Sequence, residues 1–245
     1  METLMGLEIL HRIMKHGTEN DMKTADKLAL IKSCERDIET ALESLEMPEK
    51  LGDALESYRA ARKTLEGLEL APADPAYREM QRVLAFCLLR EANILRQTGR
   101  QKEAESVTEM EIAAARSSGD SVTLARSLMS YGATSIIAGE RETGLRAIEE
   151  ARGLFEKGGS FDHRQGLGWY WILKADLCNG GLLPGGAQAV IEAAGMALSI
   201  LLPIKNYPGI ARAHEARAKA YESMGDAKSA AEDRKSQKKY EKIKG

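Results

Sequence analysis

Valine is nearly missing from this 245-residue chain: four occur, alongside six prolines and 5% aromatic residues. Pleated sheets draw on β-branched and aromatic side chains, so this scarcity excludes a β-sandwich or barrel and disfavours a parallel sheet with Val/Ile-rich strands. An excess of one charge is missing too. The net charge of −2 and pI near 6.2 leave no global basic footprint of the kind nucleic-acid binders carry. Cys34, Cys87 and Cys178 are odd in number and far apart in apolar stretches, which reads as buried free thiols in a reducing compartment. Met1-Glu-Thr-Leu-Met-Gly6 has acid at once and no long apolar core, so no signal or transit peptide is expected and the expected location is cytoplasmic.

Only one stretch is apolar enough to raise the question of a membrane. Residues 182–204 are interrupted by Gln188, Glu192 and Ser199 alone, a length that would cross about 30 Å of hydrocarbon. Glu192 near the middle, Pro184 and the glycines at the start, and the lack of an aromatic belt favour a helix buried in protein, so no membrane span is expected.

What is abundant is alanine and leucine, 34 and 28 residues, which together make a quarter of the chain and head the helix-propensity scale. Glycines and prolines then divide it into helix-length blocks near 3–16, 22–45, 49–69, 75–98, 101–118, 121–138, 141–157, 163–179, 186–203, 207–224 and 227–243. Asp74 and Pro75 suit the cap and first position of the fourth. Gly99, Gly139 and Gly225 suit helix ends that need a left-handed residue.

The blocks repeat. Leu88, Ala92, Leu95, Gly99, Ala104 and Gly119-Asp120 recur forty residues later as Leu128, Gly132, Ser135, Gly139, Gly144 and Gly159-Ser160. Ala218, Tyr221, Gly225 and Ala230 follow the same pattern, with Ala175 midway between Gly132 and Ala218. Small residues at such positions let two antiparallel helices approach, and each pair leaves an apolar face that only the next pair covers.

Leu128-x-x-Tyr131-Gly132, the turn glycine 139, the small residue 144 and Ala151 resemble the tetratricopeptide repeat, here in a longer, 40-residue variety, over about residues 77–245. The resemblance implies an all-α, right-handed superhelical solenoid of antiparallel helix pairs, with about 10–11 helices. Units are expected near 77–120, 121–160, 163–204 and 207–245, in an array over 75–245. Residues 1–74 read as an amino-terminal helical cap or a divergent repeat.

Signatures of chemistry are sparse. Glu8 and His11 have the spacing of a di-iron helix but no second copy. His214-Glu215 begins like a zinc-protease helix, yet Ala218 stands where a second histidine belongs. His16 and His163 read as surface residues near helix ends. The glycines at 180–181 and 185–186 lack the Lys-Ser/Thr of a phosphate loop, and no Gly-x-Ser-x-Gly elbow occurs. No catalytic residue, metal site or cofactor is expected, and the chain is not read as an enzyme.

The family resemblance implies a concave groove lined by the first helix of each unit: Phe86, Leu89, Asn93 and Arg96; Arg126 and Met129; Trp169, Ile172 and Asp176; Arg212, Glu215 and Lys219. Asn93 matches an asparagine of the family's carboxylate-binding members, but Leu89 replaces their lysine, which disfavours that clamp. Apolar anchors among charges suit a peptide or helix of a partner protein. The function expected is therefore a non-catalytic adaptor; the alternatives are a sensor whose groove takes a signalling peptide or small molecule and, less favoured, an enzyme with a helical-array site. No nucleic acid is expected as partner, and self-association is left open. The last helix carries seven basic and four acidic residues over 226–245, read as the polar cap a solenoid needs, with an acidic partner, RNA or an anionic membrane as the functional alternatives.

Overall fold

The structure, a computed structural model, describes residues 22–243. Ten α-helices and no strand occur among them. They are α1 (Thr24–Ser44), α2 (Leu51–Glu66), α3 (Tyr77–Gln97), α4 (Gln101–Ser118), α5 (Ser121–Ile137), α6 (Arg141–Lys157), α7 (Phe161–Asn179), α8 (Gly186–Leu201), α9 (Tyr207–Ser223) and α10 (Ala227–Glu241). The helix expected at 3–16, with Glu8, His11 and His16, lies outside the described residues. Every other expected block contains a helix. α3 starts at Tyr77 rather than at residue 75, because Asp74 and Pro75 form a turn in which the Asp74 carboxylate accepts the Ala76 amide at 2.8 Å. Gly99, Gly139 and Gly225 have φ of 73°, 93° and 79°, the left-handed backbone expected of them.

The chain forms two compact units, Met1–Ser127 and Leu128–Gly245; α5 begins in the first and ends in the second. In the first unit, Ile31, Ile38, Tyr58, Leu65, Leu88, Leu95 and Ala104 belong to one buried cluster drawn from α1 to α4. Burying each large aliphatic side chain contributes about 1.5–3 kcal/mol before chain entropy is charged against it. Ion pairs set the direction of packing. Lys27 meets Asp74 at 2.7 Å, Glu35 meets Arg82 at 2.6 Å and Glu46 meets Arg90, with separations in sequence of 47, 47 and 44 residues. A nearly constant offset is the mark of two segments running side by side in the same direction, so α1 lies parallel to α3 and its flanks.

The second unit follows the same logic with smaller residues at the crossings. A Cβ on Gly132 would stand 2.5 Å from Ile148 Cγ1 and 2.7 Å from the Gly144 carbonyl oxygen; one on Gly144 would stand 2.5 Å from the Gly132 carbonyl. α5 and α6 therefore touch through bare backbone. Gly166 receives the Phe155 ring of α6, and Gly168 receives Leu201 of α8. α8 is 16 residues long and buries Val190, Ala193, Ala194, Ala197, Leu198 and Leu201, leaving Glu192 exposed. No described helix is long and apolar enough to cross a membrane. Arg212 of α9 reaches Asp176 of α7 at 3.0 Å and the Asn179 amide reaches the Ala216 carbonyl at 3.3 Å, 36 and 37 residues apart. By the same constant-offset argument α7 and α9 run parallel, as the first helices of consecutive pairs must.

Candidate binding surface

The parallel α7–α9 contact assembles four of the residues singled out from sequence. The Arg212 guanidinium bridges Asp176 and Glu215, and Lys219 closes on the other Glu215 oxygen at 2.7 Å. Burial pushes the Asp176 carboxyl above the usual range, with Arg212 opposing it. Burial also acts to raise Glu215, but hydrogen bonds from Lys219 and Arg212 outweigh it and hold Glu215 low. Burial alone would lower Arg212; its two carboxylate partners instead hold it above its usual value. The result is a charge lattice of alternating sign, fixed across two helices and still partly in water.

Trp169 is half-buried and packs with Tyr207 and Ile204 against the core that includes Ile210 and Ala213. Ile172 is only 2% exposed and belongs to that core. Its side chain holds α7 in place and presents no surface, in contrast to the role suggested by its register. Met129 packs partly buried against the cluster of Ile136, Ile148 and Tyr170. Trp171, also on α7, stands edge-on to Tyr170 and beneath the Lys174 ammonium.

In the first unit, Phe86 is partly buried against the core, and Leu89 and Asn93 are likewise half-buried on α3. Arg96 donates to the Asn93 side-chain oxygen and to Thr108 Oγ1. Burial pulls Arg96 below its ordinary value while the Glu111 carboxylate pulls it back. Asn93 is thus engaged from within its own helix. Arg126 is half-exposed on α5.

Two further polar centres escaped the sequence reading. Glu91, 1% exposed on α3, is held by Arg59 Nε at 3.1 Å and Arg62 Nη1 at 3.0 Å, both on α2. Asp233 of α10, 4% exposed, accepts a bidentate bond from Arg217 at 2.8 Å through each oxygen and faces His214 Nδ1 at 2.7 Å. Tyr240 stacks on the His214 ring and on Tyr207. His163 lies in the first turn of α7, 2.7 Å from the Ser160 hydroxyl that caps it. Among the described residues no group of His, Cys, Asp and Glu is placed to hold a metal ion. Burial raises all three thiols, Cys34 to about 11 and Cys87 to about 12, so neither of these two is an activated nucleophile.

These helix pairs match a solved structure. BtubC (BKLC) from P. vanneervenii superimposes with a TM-score of 0.52 at 15% identity, covering 88% of this chain and 91% of that one. The chain has a TPR-like helical-repeat fold. Two crystal structures of the TPR-like repeats of a putative kinesin light chain from Podosopora anserina, one of them of a single-residue variant, align with TM-scores of 0.47 and, for the variant, 0.49 at 13% identity, each over 86% of this chain and over 96% and 95% of theirs. No family model matches the chain, and no curated protein matches it.

Proposed function

We propose that this chain is a non-catalytic protein-interaction module that takes a peptide or helix of a partner along the exposed faces of its first helices. The observation that carries this reading is the α7–α9 surface: Trp169 with Tyr207 at one end and the Asp176–Arg212–Glu215–Lys219 lattice at the other offer an apolar anchor beside charges of both signs. Such a surface suits a segment with an apolar side chain flanked by complementary charges. In the first unit the counterpart would be Phe86, Leu89, Asn93 and Arg96, and Arg126 would add to it. The parallel run of α1 beside α3 supports treating residues 24–66 as a divergent helix pair. A cytoplasmic location fits the three buried, reduced cysteines.

Affinity capture from the native cell tests the proposal. The wild-type chain should retain a defined partner that the double variant Arg126→Glu, Arg212→Glu loses, while circular dichroism shows the helical content unchanged. An identical set of captured proteins with a folded double variant would remove the basis for the reading.

A further inference from the structure

The outer face of α10 carries a stripe of five basic residues. Arg234, Lys235, Lys238, Lys239 and Lys242 line, with Ala231, an open recess of about 690 Å³. At a rise of about 1.5 Å per residue they span about 12 Å along the helix. Arg234 is committed to Glu222, through bonds of 2.9 and 3.0 Å. Among the described residues no carboxylate pairs with the other four, and Lys239 leans over the Tyr240 ring. A cap needs only to be polar; it does not need four ammonium groups on one face, none of them in an ion pair with a carboxylate of the described chain. Such crowding costs self-repulsion that a bound anion relieves.

We infer that this stripe is a second docking surface, for an acidic peptide segment of a protein partner, separate from the α7–α9 face. Three observations select that occupant. A recessed surface without an exposed large apolar side chain has nothing to insert into a bilayer. The aromatic ring beside it, Tyr240, is already stacked on both Tyr207 and His214, so it is not available to stack on a nucleobase. The chain as a whole is net negative, which opposes a long polyanion more than a short acidic segment held against one helix. Glutamates spaced three and four apart on a helix would meet Lys235, Lys238, Lys239 and Lys242 in register.

The test is fluorescence anisotropy of a fluorescein-labelled, Glu-rich helical peptide titrated with the full chain at low salt. Binding should weaken on adding salt, and should fall about tenfold or more in the Lys235→Gln, Lys238→Gln, Lys242→Gln variant, as expected when three charge contacts are removed. The matching Lys→Arg triple variant should bind like the wild type. Arg212→Glu should leave this titration unchanged, which separates its outcome from that of the α7–α9 face. The inference is overturned by absent binding, by equal binding to the Gln triple variant, or by tighter binding to phosphatidylserine vesicles or to a single-stranded RNA oligonucleotide.

Discussion

A hydrogen atom is all that Gly132 can place between α5 and α6. Because the nearest obstacle to any larger side chain includes the Gly144 carbonyl, which is backbone and cannot swing aside, Gly132→Ala should cost about 1–3 kcal/mol, by the ordinary penalty for overpacking. Gly153, on the same α6 as Gly144, has open space where its Cβ would be. There Gly153→Ala should stabilise by about 0.5–1 kcal/mol, since alanine loses less backbone freedom on entering a helix. Urea unfolding of the two variants checks both signs; a neutral Gly132→Ala would mean that the helices separate more easily than their contact indicates. Small residues recurring at a fixed spacing made this crossing legible in the sequence.

At the scale of the element, helix existence and extent were readable because glycine, proline and capping residues mark the ends while alanine and leucine fill the interiors. Which side of a helix faces the core was harder to read. α7 is packed on by α6, α8 and α9, and so buries Tyr170, Ile172, Ala175 and Leu177 on several sides at once. With no single apolar stripe, register alone could not separate Ile172, which is core, from Trp169 and Asp176, which reach the surface. The seat of α10 was likewise invisible, because Asp233 finds its partners, His214 and Arg217, on another helix. That seat has a pH signature. Hydrogen bonds from Arg217 and His214, working against burial, hold the Asp233 carboxyl below its ordinary value of 3.8. Its contribution is therefore complete above that value and is lost as pH falls through the lower folded value. Asp233→Ala should cost about 1–3 kcal/mol at neutral pH. It should raise hydrogen exchange throughout 227–241, and the difference from wild type should shrink in strong acid; an undiminished difference would assign the loss to packing rather than to charge.

Over the whole molecule, one buried cluster, spanning Leu30 to Ala115, lies in the first unit, and two others, within Ile136 to Ala220, lie in the second. Helical arrays hold together by sums of neighbouring contacts rather than by one global core. Damage in one unit should then stay largely within it. Glu91→Ala leaves two arginines facing a buried void on α3, and should accelerate hydrogen exchange in α2 to α4 while α8 to α10 keep their protection; uniform acceleration along the chain would show that the molecule opens as a single body. Charge is divided as unevenly as packing. The terminal segment 226–245 is net positive within a chain of net charge −2, so the remainder is more acidic than the total reveals.

Both tryptophans of the chain, Trp169 and Trp171, sit on α7 in the second unit. Indole emission is accordingly a reporter for half of the molecule: it follows melting of Leu128–Gly245 and is blind to the first unit, where Tyr58 and Tyr77 are the chromophores within described helices. A fluorescence melting curve thus follows the second unit alone while a far-ultraviolet dichroism curve follows the helices of the whole chain, and their coincidence or divergence on one sample reports whether the two units melt together.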